Sequence, residues 1–273
     1  MSKIRIFEAF AGIGTQSMAL ERIKQEMPDF DYEIIGISEI DRYAIAAYNS
    51  VHDGVKNYGD IALIDWDDVP DFDLLTYSFP CTNISMAGRK EGLEEGSGTS
   101  SSLLWECRRA IETKRPKYLL LENVPALVNS KNIAHFNRWI EELVSYGYTN
   151  YWQCLNSKDY GVPQSRNRLF VVSILGGGEY SFPGGIELTK CMNDLLEDVV
   201  DERYYLRRAT IESIIEHCKR KQAEGCGFRF DPTDGSGIAK TINTKEGCRQ
   251  TDNFIIQLGN VYPDTERFKN RTM

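Results

Sequence analysis

The sequence predicts an α/β fold, a mostly parallel sheet with helices on both faces, followed by a smaller C-terminal part. Three observations carry this. Over the first 180 residues, strand-like runs alternate with stretches of helical period, the order that parallel sheets require. Two of the runs, "YLLLE" and "LFVVSIL", are apolar throughout, as strands covered on both faces are. At residues 176–185 the breaker cluster "GGGEYSFPGG" ends the alternation. A first domain over residues 1–178 and a second over 179–273 follow.

"KIRIFEAF" reads as the first strand, running into "AGIG" and the helix "TQSMALERIKQE". Gly12 and Gly14 permit a tight turn and close backbone approach, and the helix start offers free N–H groups. The third glycine of the dinucleotide fingerprint is absent, so a tight turn without ligand is equally compatible. "YEIIGISEID" is the second strand. It ends at Glu39 and Asp41, about 25 residues beyond the glycines, where a carboxylate can take ribose hydroxyls. "RYAIAAYNSVH" is a short helix. In "YGDIA", Asp60 either accepts from an exocyclic amine or caps a helix.

"FDLLTYSFP" is an apolar strand ending at Pro80, with Cys81 directly after it. A lone cysteine usually packs as a small hydrophobe. At the carboxyl end of a strand, the ligand-binding edge of open α/β sheets, it is also placed for chemistry. The glycine-rich "AGRKEGLEEGSGTSSS" reads as a lid or as a polar insertion. "SLLWECRRAIETKR" is an amphipathic helix stopped before Pro116. The strand "KYLLLENV" brings Glu122 and Asn123 to the same edge, solvated there or part of a site. "FNRWIEELVSYGY" is a helix ended by Gly147, and "YWQCLNSKDYG" and "RLFVVSILGG" are two further strands. Gln164, Arg166 and Arg168 precede the last of these. The arginines, two apart, face one way if the chain is extended there, or form a surface pair. Beyond the boundary "TIESIIEHCKRKQ" is helical, and the remainder is rich in Gly, Thr, Asn and Asp with short strand candidates.

Composition narrows the function classes. Apolar residues make up 41% and charged residues 26%, ordinary values for a globular chain. No apolar run reaches membrane-spanning length and no signal peptide is evident, so a cytoplasmic protein without membrane partners is expected. The seven cysteines are scattered without a CxxC pair and there are three histidines, which argues against a metal site or a disulfide framework. The net charge of −8 is uneven: residues 1–200 carry 19 basic and 29 acidic side chains, residues 201–273 carry 13 and 11. The acidic balance argues mildly against general nucleic-acid binding without excluding a local basic cleft, and if any part touches a polyanion the C-terminal part is expected to.

Taken in order, these motifs resemble the cytosine-C5 methyltransferases over residues 4 to about 175. "FAGIG" is similar to the family's S-adenosylmethionine-binding turn, "PCTNIS" to its Pro-Cys-x-x-x-Ser element, "ENV" to its Glu-Asn-Val, and "QSRNR" to its Gln-x-Arg-x-Arg. Leu103 occupies the place of a leucine that lines the cofactor pocket. Ser100 stands where the family usually has an arginine, and this puts one loop contact to the DNA backbone in doubt.

The resemblance implies a Rossmann-like S-adenosylmethionine-dependent methyltransferase sheet and a small, partial C-terminal target-recognition domain. It implies methyl transfer from S-adenosyl-L-methionine, leaving S-adenosyl-L-homocysteine and needing no metal, to C5 of a flipped-out cytosine in double-stranded DNA. Restriction-modification or phage DNA protection is the implied setting. Cys81 would be the nucleophile, Glu122 would serve N3, and Arg168 supported by Arg166 would serve O2. Ser85, Asn123 and Gln164 would contact substrate. Phe10, Gly12 and Gly14 would receive the cofactor's amino-acid end, Glu39 its ribose, and Asp60 its amino group. Ile40 and Ile61 would sandwich the adenine, with Pro80 and Leu103 completing the pocket. Ile40 stands where the family often has tryptophan.

Two later family elements are not recognised: a helix of the type Arg-x-Leu-Thr-x-x-Glu, and the Gln-x-x-Gly-Asn-x-Val segment. "QLGNV" (Gln257 to Val261) is set aside as arriving too early. The expectation is a chain that stops inside the target-recognition domain. That leaves open a binding fragment without turnover, or one half of a split enzyme completed by a second polypeptide. Transfer RNA as the substrate is a further alternative. A dinucleotide oxidoreductase would leave Cys81, Glu122 and the arginines without a joint role.

Overall fold

The computed structural model describes residues 3–52, 54–80, 100–227, 229–242, 252–256 and 270–272. The chain forms two compact units. Met1–Leu155 with Arg168–Phe182 makes the first, and Asn156–Asn167 with Pro183–Met273 the second.

The first unit is built on a six-stranded sheet in the order β2-β1-β3-β4-β6-β5. Its strands are β1 (Ile4–Ala9), β2 (Tyr32–Ser38), β3 (Leu74–Tyr77), β4 (Tyr118–Asn123), β5 (Tyr148–Asn156) and β6 (Asn167–Leu175). β1 pairs parallel with β2 and β3, and β3 parallel with β4. β6 runs antiparallel to β4. Parallel register aligns Ser38, Ala9, Tyr77 and Leu121 in one row across four strands. After this row Glu39, Phe10 and Ser78 leave the sheet at its carboxyl edge, where open α/β sheets bind ligands, while Glu122 and Asn123 continue β4 there against β6.

Among the described residues this unit has four helices: α1 (Thr15–Glu26), α2 (Arg42–Val51), α3 (Leu104–Lys114) and α4 (Ile133–Ser145). α1 starts at Gly14, whose φ of 81° suits glycine alone among unstrained residues. α2 starts at Asp41, whose carboxylate accepts from the Tyr43 and Ala44 N–H groups, a side-chain cap on two otherwise unpaired donors. α3 ends at Arg115 ahead of Pro116, and α4 ahead of Gly147 at φ 87°. Successive strand side chains alternate between faces. Glu8 on one face meets Ser17 of α1 and Tyr48 of α2. Tyr77, from the neighbouring row, meets Trp139 of α4 on the other, and Trp139 in turn meets Trp105 of α3. Helices thus cover both faces, as the sequence predicts.

Two elements differ from expectation. α4 starts at Ile133, three residues earlier than its pattern implied, because Asn129 and Asn132 turn the chain directly into it. The strand expected over "YWQCLNSKDYG" begins at Tyr148 and stops at Asn156, whose side chain accepts from Lys158 N–H and starts a single 3-10 turn. That local hydrogen bond competes with the ladder and ends the strand.

Of the second unit, α5 (Arg208–Ala223) and an antiparallel pair, β7 (Phe254–Ile256) with β8 (Asn270–Thr272), are its regular elements among the described residues. A small core of Met192, Ala239 and Ile255 holds it. Single bridges, Gln164 with Ala239 and Thr233 with Ile255, replace longer ladders.

Trp139 anchors the larger core: it is fully buried, its Nε1 donates to the Tyr77 hydroxyl at 3.2 Å, and its ring meets Trp105 edge-on at 5.7 Å. Trp139→Ala is expected to cost about 3–5 kcal/mol, read from urea unfolding. Glu8 is the buried charge of the sheet. Burial pushes its carboxyl up, against the Ser17 and Tyr48 hydroxyls and the nearby His52. A raised carboxyl binds a proton more tightly in the folded chain. Its contribution is complete below the ordinary glutamate value and is lost as pH climbs through the raised one. Thermal midpoints of Glu8→Gln should accordingly fall less than those of the unsubstituted chain between about pH 5 and pH 8.

Candidate active site

The turn after β1 is shaped by its backbone. Phe10, Gly12 and Gly14 have φ of 57°, 58° and 81°. For Phe10 this region costs about 1–2 kcal/mol, and such strain gathers where backbone must be aimed. The Ala11, Gly12 and Gly14 N–H groups donate to the Ser38 carbonyl, Glu39 Oε2 and the Ala11 carbonyl, so the part of this turn suited to an anion is the start of α1, whose first N–H groups have no intrahelical partner. A Cβ added at Gly12 meets nothing within 4 Å, so this side of the turn is open.

Glu39 fastens the turn to the end of β2. Its Oε2 accepts from Gly12 N–H at 2.9 Å, and its Oε1 from the Ile40 and Asp41 N–H groups at 2.8 Å each. A carboxylate has about four acceptor sites, so Oε2 retains capacity for a hydroxyl. Asn57, which the sequence reading passed over, fixes Glu39 from behind. It accepts from the Glu39 and Gly59 N–H groups and donates to the Glu39 carbonyl. The signal was an asparagine just before a Gly-Asp turn, the place for a side chain that mimics backbone.

Asp60 does cap a helical turn: Oδ1 accepts from Ala62 N–H at 3.0 Å, while Oδ2 makes no hydrogen bond among the described residues. Ile40 is 71% exposed, an apolar surface beside Glu39, whereas Ile61 is buried in the main core. Leu103 is half-buried against that core, at the end of the Ser100–Leu103 turn. These groups fit a nucleoside carrying an amino-acid end: a helix start suited to an anion, a carboxylate with spare capacity, an exposed apolar side chain and a free carboxylate oxygen.

Further along the same edge, Glu122 and Arg168 face each other from β4 and β6. Arg168 Nε lies 3.0 Å from Glu122 Oε1, with side-chain exposures of 18% and 30%. Antiparallel pairing puts Glu122 opposite Phe170, so Arg168 is its diagonal neighbour on the same face. Next to Glu122, Asn123 is buried. Its amide donates to the Phe79 carbonyl at 3.1 Å, and its Oδ1 accepts from Val124 N–H at 2.8 Å. Ser78 accepts from Gln16 of α1 at 3.2 Å. The chain entering Pro80, itself half-buried, is thus held from two sides.

Gln164 and Arg166 belong to the second unit. Arg166 Nη1 donates to the Ile242 carbonyl at 3.3 Å, and Gln164 Oε1 accepts from Ile242 N–H at 3.5 Å. Arg166 precedes β6, so strand alternation does not set its direction as expected from the spacing of two. Cys81, Ser85, the glycine-rich stretch up to residue 99 and "QLGNV" lie outside the described residues. Among the described residues no cluster of His, Cys, Asp and Glu could hold a metal, and no helix is long and apolar enough to cross a membrane.

Asn123→Ala leaves the Phe79 carbonyl without its buried donor. A loss of about 1–3 kcal/mol in urea unfolding is expected, with Asn123→Asp, which lacks the amide, losing at least as much.

Residues 4–272 match the family model described as C-5 cytosine-specific DNA methylase. The type II methyltransferase M2.ScrFI of Lactococcus lactis subsp. cremoris is 41% identical over 258 residues, covering 75% of this chain and 70% of that protein. The orphan methyltransferase M.SssI of Spiroplasma monobiae is 32% identical over 325 residues, covering 90% and 83%. Among solved structures, the Dnmt2 methyltransferase of S. pombe superposes with a TM-score of 0.70 at 19% identity, covering 99% of this chain and 83% of that one. The Entamoeba histolytica methyltransferase EhMeth superposes at 0.73 and 17% identity, covering 100% and 83%. At these identities the two structures speak to the fold.

Proposed function

The chain belongs to the C-5 cytosine-specific DNA methylase family, and we propose that it transfers a methyl group from S-adenosyl-L-methionine to C5 of a cytosine in duplex DNA. The observation that carries this reading is the Glu122–Arg168 pair, on the same sheet edge as the Phe10–Gly14 turn and Glu39. One carboxyl and one guanidinium, side by side, match the N3 and O2 edge of a cytosine.

The cofactor supplies an electrophilic methyl on a sulfonium. The turn of Phe10, Gly12 and Gly14 would receive its amino-acid end, and Glu39 Oε2 would take a ribose hydroxyl. Asp60 Oδ2 would accept from the adenine amine beside Ile40. Ile61, Pro80 and Leu103 would complete the apolar side of the pocket.

Cytosine C5 is a weak nucleophile. Attack of the Cys81 thiolate at C6 breaks the C5–C6 double bond and turns C5 into an enamine carbon that can take the methyl group. Arg168 binds O2, where charge develops, and Glu122 faces N3. In the free chain the two groups satisfy each other, and an entering base exchanges that ion pair for its own two contacts. A water molecule then takes the proton from C5, the electrons of that C–H bond re-form the C5–C6 double bond, and Cys81 leaves as the thiolate. Asn123 acts through the Phe79 carbonyl, positioning the chain that leads into Pro80 and Cys81. A base within a duplex must be extruded to reach these groups.

The second unit, which carries Gln164, Arg166 and the basic α5, reads duplex DNA in this proposal. Relatives that are type II and orphan methyltransferases support a restriction-modification or phage setting.

Labelled methyl transfer to duplex oligonucleotides tests the reading, with RNA assayed in parallel and bisulfite sequencing of the product. Cys81→Ser is expected to lower transfer by at least about a thousandfold. Full activity in that variant excludes the covalent route, transfer to RNA alone changes the substrate, and absence of turnover by the chain alone favours a binding fragment.

A further inference from the structure

We propose that Tyr48 and His52 are positioning residues for the cofactor: α2 is a splint clamped at both ends to the glycine turn, and His52 is its far clamp. The inference rests on the cofactor reading above and extends it to two residues outside the binding motifs.

The near clamp is Glu39. The segment that starts α2 gives the Ile40 and Asp41 N–H groups to Oε1, while Gly12 gives its N–H to Oε2. The far clamp comes from the other end of α2, a ten-residue helix about 15 Å long. His52, the C-cap of α2, turns back so that its Nε2 lies 3.3 Å from the Gly14 carbonyl, donating in the tautomer that carries the proton there. That carbonyl also accepts the first intrahelical bond of α1, from Met18 N–H at 2.9 Å. α1 has no side-chain cap of its own, so His52 fixes the peptide from which α1 departs.

The two faces of the turn are unlike. A Cβ at Gly14 would come within 2.6 Å of the His52 ring and 2.8 Å of the Tyr48 ring, whereas a Cβ at Gly12 meets open space. One face is a wall and the other is free for a ligand. The wall itself is braced. The Tyr48 and His52 rings lie 4.7 Å apart, and Tyr48 is fully buried with its hydroxyl on Glu8 Oε2 at 3.0 Å. Ser17 of α1 donates to the same oxygen at 2.8 Å. Glu8 thereby ties β1, α1 and α2 together directly beneath the turn. A wall on one side of the turn limits how far the backbone at the start of α1 can shift when no ligand is bound, so less ordering is required on binding.

Calorimetry with S-adenosyl-L-homocysteine on the full chain tests this, beside hydrogen exchange of the Gly12–Thr15 amides in the free protein. His52→Ala should weaken binding about tenfold and speed that exchange, while affinity for duplex DNA stays within twofold. His52→Gln, whose amide can still donate to the Gly14 carbonyl, should bind within about threefold of the unsubstituted chain. Tyr48→Phe, which keeps the wall and loses the bond to Glu8, should fall between them. The proposal is overturned if His52→Ala binds within twofold of the unsubstituted chain. It is equally overturned if duplex affinity falls by the same factor as cofactor affinity, which marks a general loss of structure. Should His52→Ala not fold, His52→Gln and Tyr48→Phe decide, and equal binding by both with unchanged exchange overturns it. An unsubstituted chain that binds duplex DNA but not S-adenosyl-L-homocysteine removes the cofactor reading itself, and this proposal with it.

Discussion

Parallel pairing of β1 with β2 and β3, and of β3 with β4, is the constraint on which the site depends. Hydrogen bonds between these strands fix Ser38, Ala9, Tyr77 and Leu121 side by side. Chain direction is the same in all four, so the loops that follow all leave from one edge. A slip by one residue in any strand would turn its side chains to the opposite face and shift its exit from that edge. The slip is resisted by burial: Phe7, Ile37, Leu75, Tyr77, Leu119 and Leu121 are enclosed among the apolar side chains of the sheet and its helices. Packing on the faces of the sheet thereby sets polar chemistry at its end.

At that edge, backbone rather than side chain does much of the shaping. Three left-handed residues in five bend the chain after β1, and the cost falls on Phe10, the one of the three with a Cβ. Carboxylates hold the bend in place. Glu39 gathers three N–H groups from two strand ends, and Glu8 gathers two hydroxyls from two helices. The two acids differ in setting. Glu39 sits at the sheet's mouth with capacity to spare, whereas Glu8 is enclosed, and burial favours its protonated form. One is suited to meet a ligand and the other to hold the frame.

The β4–β6 side of the edge uses a different device. Glu122 and Arg168 come from strands of opposite direction, which places the end of β4 against the beginning of β6. A carboxyl and a guanidinium are thereby brought together although 46 positions separate them in the chain. Asn123, one residue from Glu122, faces the other way and is buried, where its amide grips the Phe79 carbonyl. Adjacent residues on one strand thus serve the two faces of the sheet, one paired with the Arg168 guanidinium and one supporting the chain after β3.

The alternation of strands and helices, the glycine turn and the acids at strand ends were legible in the sequence because each is a local pattern: a period of two or of 3.6, a residue free to take positive φ, a charge that interrupts an apolar run. Family membership was legible for the same reason, as short motifs in a fixed order. Glu8, Tyr48 and His52 were not, because Tyr48 meets Glu8 and His52 meets Gly14 across some 40 positions, an approach no local pattern encodes; Asn57 carried a local turn signal, but its bond to Glu39, 18 positions away, was likewise not legible. The family resemblance ranked Arg168 ahead of Arg166, but local pattern did not. Strand period made them equivalent, and only the start of β6 at Asn167 distinguishes them. The sequence by itself determined which residue types stand at the ends of which elements. Tertiary structure decided which of those residues meet, because hydrogen bonds and buried contacts between distant segments depend on register and packing across the whole sheet.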